Sequence, residues 1–324
     1  MAAMRVRSIY YSVFIGLTAA LAAVANAADY PARPIRYVVP FAAGGFNDLL
    51  ARLVSQKLNV SWSQPVIIDN RPGAGGNLGA DIVAKSTPDG YTIMNISTAH
   101  AISQTLYAKL NYSLERDLTP AVALGSTPLI MATYAGIPAK DVADLVAWAK
   151  NNRLLYASSG VGTIAHLSME MFKTTSKIDA THVPYKVFAS IISELTTGQV
   201  HVWTNELSTL FPFAKAGKLR VLGILAEKRH AIIPDVPTFI EQGYKEFVMG
   251  NWTGIVAPAG TPKSVLNKLA LEVTRIIRVP EMSERLVQLG VDPMGGTPEE
   301  FAKLIRAETA RFGKAVKDSG AKLE

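Results

Sequence analysis

The chain contains no cysteine. That absence excludes disulfide staples, thiolate metal sites, a cysteine nucleophile and a lipid-modified N-terminal cysteine. Histidine is scarce and scattered. His100, His166, His182, His201 and His230 fall into no HExxH run and no paired-ligand zinc spacing. No serine sits in a GxSxG elbow, and no GxxxxGKS/T loop is present. A nucleophile elbow and a phosphate-cradling P-loop are therefore both excluded. Basic residues are dispersed, and no stretch interleaves them with aromatics, which argues against nucleic acid as a partner. Beyond residue 27 no run approaches the roughly 18 uninterrupted apolar residues that a membrane span needs.

What is present begins with an export pattern. Arg5 and Arg7 form a positive n-region, Val13 to Ala23 an apolar h-region, and Ala25-Asn26-Ala27 a small-x-small cleavage site. Residues 1–27 are expected to be a secretory signal peptide cleaved near Ala27, leaving a soluble, untethered protein in the periplasm. Arg5 and Arg7 are the only charged residues of that segment, so the net charge of +7 falls to +5 without it. A mild positive balance suits a small anionic ligand.

From Ile35 onward, strand-like and helix-like segments alternate. Strands are expected at 35–40, 65–69, 91–96, 128–134, 154–157, 181–184, 200–204, 219–225 and 252–257. Helices are expected near 48–59, 77–86, 100–109, 141–151, 164–174, 188–197, 262–278, 281–289 and 298–318. This alternation predicts an α/β fold with largely parallel sheets. Asp141 stands as the N-cap of one helix, and Thr297-Pro298-Glu299-Glu300 reads as cap, N1 proline and N3 acid of another. Thr261-Pro262 repeats that pattern. Ala121–Tyr134 and Trp252–Ala257 read as two crossings between lobes. The expected layout is lobe 1 from 28–126 plus 250–324, and lobe 2 from 127–249, hinged around a cleft.

Gly73-Ala74-Gly75-Gly76-Asn77-Leu78-Gly79 comes near the dinucleotide fingerprint, but the last glycine would fall at position 78, which is Leu. No nicotinamide site is expected there, and no cofactor or metal anywhere. Four other loops run into helix starts, where unpaired N–H donors and the helix dipole favour anions. They are Gly44-Gly45-Phe46-Asn47-Asp48, Ser97-Thr98-Ala99-His100, Ser158-Ser159-Gly160-Val161-Gly162-Thr163, and Lys186-Val187-Phe188-Ala189-Ser190. Such loops gather at the carboxyl ends of strands in α/β sheets. Two come from each expected lobe, so together they suit a small organic anion held without Lys or Arg. Asp48 would repel an anion and is expected to point back as a cap.

The segments YPARPIRYVVPFAAGG, NRPGAGGNLGADIVAKSTPDGYT, YASSGVGT, HVPYK, AKAGKLRVLGILAEKR, IPDVPTF, APAGTP and GGTPEEF follow one another across the chain. In this order they resemble the tripartite tricarboxylate transporter receptor family, the Bug-type extracytoplasmic solute-binding proteins. The resemblance implies a two-lobed periplasmic binding-protein fold of type II-like form, each lobe a mixed or parallel sheet flanked by helices. It implies a small carboxylate ligand, no catalysis, and delivery to a membrane permease of a large and a small subunit. By the same resemblance, Phe41 to Asp48 and Ser158 to Thr163 hold the carboxylates, with Ser97 to His100 and Phe188 to Ser190 closing the pocket. His166 and Asn205 complete the candidate site.

Departures from the family pattern bear on the ligand. Phe46 adds an aromatic side chain, either as a cavity wall or as packing under the loop. Asn47 replaces the usual Thr, and Val187 replaces the glycine after HVPYK. Thr204-Asn205 stands where a Phe-Asp pair is frequent, removing a carboxylate that could meet an ammonium group. The expectation is a receptor for an aromatic carboxylate or dicarboxylate in preference to an amino acid, acting as a monomer. Two competing readings are the same receptor presenting its ligand to a membrane sensor kinase, and a secreted hydrolase using Ser158 or Ser159 with His166 or His100.

Overall fold

The computed structural model describes residues 30–245 and 247–319. The expected signal peptide lies outside the described residues. Among those residues, no helix is long and apolar enough to cross a membrane.

The strands are β1 (Ile35–Val39), β2 (Val66–Asn70), β3 (Thr92–Ser97), β4 (Leu118–Tyr134), β5 (Leu155–Ser158), β6 (Thr181–Pro184), β7 (Val202–Glu206), β8 (Leu219–Ile224), β9 (Gly250–Pro258) and β10 (Asp292–Gly295). The helices are α1 (Phe46–Trp62), α2 (Asn77–Ala84), α3 (Thr98–Leu106), α4 (Val142–Ala149), α5 (Ile164–Ser176), α6 (Phe188–Thr197), α7 (Leu207–Lys215), α8 (Lys263–Arg278), α9 (Pro280–Gln288) and α10 (Pro298–Ser319). The alternation read from the sequence holds, with two additions. β10 is a short edge strand containing Pro293, and α7 carries Pro212 inside it. Proline removes a backbone donor and argues against both elements on local grounds, so tertiary packing decides them.

The sheet is mixed rather than largely parallel. β1 pairs in parallel with β2 and β3, and β5 in parallel with β6 and β7. β9 and β4 run antiparallel to their neighbours. β4 is the element that joins the two halves. Its residues Leu118 to Pro128 pair with β9, and Leu129 to Thr133 pair with β7. The partners change next to Pro128, which has no N–H to offer a ladder.

Burial follows the same division. Tyr37, Val39, Leu50, Val54, Leu266 and Leu269 belong to one apolar cluster between β1, α1 and α8. Met131, Tyr156, Leu167, Phe172 and Phe239 belong to another around β4, β5 and α5. α10 belongs to both sides: Phe301 and Ile305 pack with β3 and β9 residues, while Phe312 and Val316 pack in the cluster of Met131 and Phe172.

Caps explain several helix starts. Asp141 accepts from the Asp144 N–H at 2.8 Å. Thr297 accepts from the Glu300 N–H at 3.2 Å, and Glu300 accepts from the Thr297 N–H at 2.8 Å, a reciprocal capping box. Thr261 does not cap α8. Its hydroxyl donates to the Pro258 carbonyl at 2.8 Å, so that helix starts without a side-chain cap.

Candidate functional site

Six strand-to-helix connections meet at one cavity of about 540 Å³. They follow β1, β2 and β3 on one side and β5, β6 and β7 on the other, all at the carboxyl ends of their strands, where α/β sheets hold ligands. β9 adds Asn251 to the wall.

Of the residues singled out in the sequence, Phe41, Gly45, Phe46, Asn47, Ser97, Ala99, Ser159, Gly160, Val161, Thr163, Phe188 and Asn205 lie on the cavity wall. Gly45 is the N-cap of α1 and lies on the wall, and no side chain caps the first-turn N–H groups of that helix. Phe46 does two things at once. It lines the cavity and is 2% exposed within the core cluster of α1. Phe188 and Ile191 share one face of α6 by their three-residue spacing, and both reach the wall.

Nine singled-out residues do not line it, each for a local reason. Gly44 donates its N–H to Asp48 Oδ2 at 2.9 Å and faces Phe188 across the cleft. Asp48 turns back as expected. It pairs with Arg52 Nε at 2.8 Å and accepts from Asn70 Nδ2 at 2.9 Å. Burial pushes its carboxyl up, but the bonds from Arg52, Gly44 and Asn70 outweigh that and hold it below the usual carboxylate range. Thr98 uses its N–H on Asn251 Oδ1 and its hydroxyl as acceptor for the Trp252 N–H. His100 folds back into the capping box of α3, accepting from the Ser97 N–H at 3.1 Å, and burial pushes its pKa down to about 4. It sits behind Gly76 and Phe41 instead of closing the pocket. Ala189 and Ser190 lie on α6 faces other than that of Phe188 and Ile191.

Ser158, Gly162 and His166 support the β5 loop from below. The Ser158 hydroxyl accepts from the Gly160 N–H at 3.1 Å and lies 2.6 Å from His182 Nε2. His166 accepts from the Gly162 N–H at 3.4 Å, and its ring lies 4.6 Å from that of His182. His182 is thus the histidine next to Ser158, stacked on Tyr156 at 4.9 Å, with its pKa lowered to about 4, chiefly by burial. Ser158 is fully buried in its own turn.

Besides Tyr107, Tyr185 and Asn251, sequence reasoning missed three features of the wall that shape it. The first is Pro72 to Gly76 after β2, set aside because it fails the dinucleotide pattern. Gly75 has φ +64, and a Cβ there would stand 2.8 Å from the Val161 carbonyl oxygen. Only glycine lets the loops after β2 and β5 touch. Tyr107 donates to the same Val161 carbonyl at 3.4 Å. The second is Trp203, 1% exposed and packed on Phe188 at 5.6 Å between ring centroids. The third is Glu206, one residue beyond Asn205. The carboxylate judged absent at Asn205 is present next to it, on the same wall.

The charge inventory of the wall is short. Lys186, exposed, is its one basic residue, and Glu206 its one acid. Asn47 Oδ1 and Trp203 Nε1 have no hydrogen-bond partner among the described residues. Backbone N–H groups, amides, hydroxyls and an indole, set in aromatic walls, can hold an anion through hydrogen bonds rather than through a fixed cation. Among the described residues, no group of three or more His, Cys, Asp or Glu side chains could hold a metal ion.

The family model for the tripartite tricarboxylate transporter family receptor matches residues 50–321. Protein BugT of Bordetella pertussis is 33% identical over 316 residues, covering 96% of this chain and 97% of that protein. Rpa4515 of R. palustris, solved with adipate, shares 34% identity and a TM-score of 0.87, covering 91% of this chain and all of that one. MatC from Rhodopseudomonas palustris, solved with bound malate, shares 32% identity and a TM-score of 0.85, covering 89% of this chain and all of that one.

Proposed function

From the premise that this chain belongs to the tripartite tricarboxylate transporter receptor family, a family of solute receptors and not of enzymes, we propose that it binds an aromatic carboxylate or dicarboxylate in the cavity between its lobes. The observation that carries this is the wall itself: βα loops from both sides, helix starts, aromatic side chains and one exposed Lys. Two solved relatives hold adipate and malate, which supports the carboxylate class. Phe41, Phe46, Phe188 and Trp203 favour a ligand with apolar or aromatic bulk. Gly45, Asn47, Ser97 and Ser159 are the proposed donors to its carboxyl groups.

The protein is exported to the periplasm, acts as a monomer, and hands its ligand to a permease of a large and a small membrane subunit. The proposed lobes are 28–126 plus 250–324, and 127–249. The change of partners along β4 near Pro128 supports the first boundary. Ligand bridges donors of both lobes and so favours the closed arrangement, which the permease reads.

A thermal-shift screen of the mature protein tests this, with benzoate, adipate, malate, citrate, aspartate and a neutral sugar. A ligand at about a thousand times its Kd stabilises by about 4 kcal/mol. Stabilisation by benzoate or a dicarboxylate is expected. Stabilisation by aspartate alone would keep the receptor and remove the ligand preference. Stabilisation by the sugar alone would overturn the carboxylate reading.

A further inference from the structure

Glu206 is an unexpected group in a cavity built for anions. It is 8% exposed, ends β7 and precedes α7. One carboxyl oxygen accepts from Asn251 Nδ2 at 2.7 Å. Asn251 is itself oriented, because its Oδ1 accepts from the Thr98 N–H at 3.3 Å. The amide therefore presents its NH₂ to Glu206, and both residues line the cavity.

Among the described residues no cation pairs with Glu206, and α5, packed on β7, brings His166, which is turned to the Gly162 N–H. β9 supplies Asn251 and β4 supplies Leu129 opposite Glu206. α3 brings His100, whose ring is turned to the Ser97 N–H. The other titratable wall residues are Tyr107, Tyr185, whose hydroxyl is bound to Glu194 at 2.5 Å, and the exposed Lys186. No charged neighbour contributes to its titration. Two negative charges in one desolvated cavity repel strongly. Either Glu206 is neutral when an anion binds, or the ligand carries its own cation.

We propose that Glu206 meets the ligand's carboxylate as a neutral acid, so that capture of an anionic ligand is coupled to uptake of one proton. The inference rests on the carboxylate-receptor reading above. Burial already holds the Glu206 carboxyl above its ordinary range, against the pull of its own backbone N–H and of the Asn251 bond. A bound anion raises it further, by like charge and by accepting a hydrogen bond from the acid form. The sign follows. Below the free-protein pKa the acid is already protonated, and binding takes up no proton. Above it, each ligand bound brings one proton, and affinity falls about tenfold per pH unit. The receptor thus holds its ligand more tightly in acid.

Calorimetric titration with adipate and with malate, between about pH 7 and about pH 9 where both acids are fully ionised, tests this. Two buffers of different ionisation enthalpy report the proton count. Wherever the free carboxyl is ionised in that range, the unmodified protein is expected to take up close to one proton per ligand, with Kd rising about tenfold per unit. In Glu206→Gln, which keeps the shape of the neutral acid, the slope and the proton uptake are expected to vanish. Binding by the unmodified protein that is flat with pH would overturn the inference and leave the receptor reading standing. So would a slope that survives in Glu206→Gln, or tight aspartate binding that this substitution abolishes. Failure of every carboxylate to bind at any pH would overturn both.

Discussion

Gly45 shows how a single position can separate binding from folding. Its φ of −85° is open to any residue, and the nearest atom to an added Cβ is the Ala42 carbonyl oxygen at 4.0 Å. Gly45→Val therefore costs the fold only the weaker cap, about 1 kcal/mol, while its side chain occupies the wall where an anion would meet the α1 N-terminus. We expect at least a tenfold loss of carboxylate affinity with a nearly unchanged melting curve. Unchanged affinity in a parallel titration would remove Gly45 from the site. Residues near it differ in how legible they are. That Asp48 turns back could be read from its place in the first turn of a helix. Phe46 could not be resolved between wall and core, because a side chain at that bend serves both. His182 and His166 lie 4.6 Å apart in space although they are distant in sequence, and no spacing rule brings them together.

At the scale of elements, the helices and strands were largely legible, because hydrophobic periodicity and explicit caps mark them. The mixed sheet was not, since the direction of β9 against β4 is set by tertiary pairing. The loops were partly legible. Four strand-to-helix turns announced themselves by glycine, serine or an N-cap. The turn after β2 hid behind its likeness to a nucleotide motif, and the turn after β7 is too short to show a signature. The β2 turn gives a prediction of its own. Gly75→Ala places a methyl against the Val161 carbonyl, 2.8 Å away, in a left-handed conformation that alanine resists. The loops after β2 and β5 can then no longer touch, which on the proposed hinge impairs closure. We expect ligand affinity to fall at least tenfold, with the overall fold retained by circular dichroism. Wild-type affinity in this variant would show that the contact plays no part in capture.

For the whole molecule, two features set the function. One is β4, a continuous strand of 17 residues that serves both sheet regions and fixes their loops on one cavity. The other is the sparse charge of that cavity within a basic protein of net charge +7. The cations sit outside and the donors inside, so long-range attraction can draw an anion in while neutral groups select it. α10 packs on both sides of the molecule. The direct test of this arrangement is diffraction from crystals grown with the tightest carboxylate found in the thermal-shift screen. Density for its carboxyl groups is expected between the Gly45 and Gly160 loops, with its apolar body against Phe46, Phe188 or Trp203. A carboxylate seated outside the cavity, or a cavity filled by a neutral molecule from expression that the acid does not displace, would contradict it.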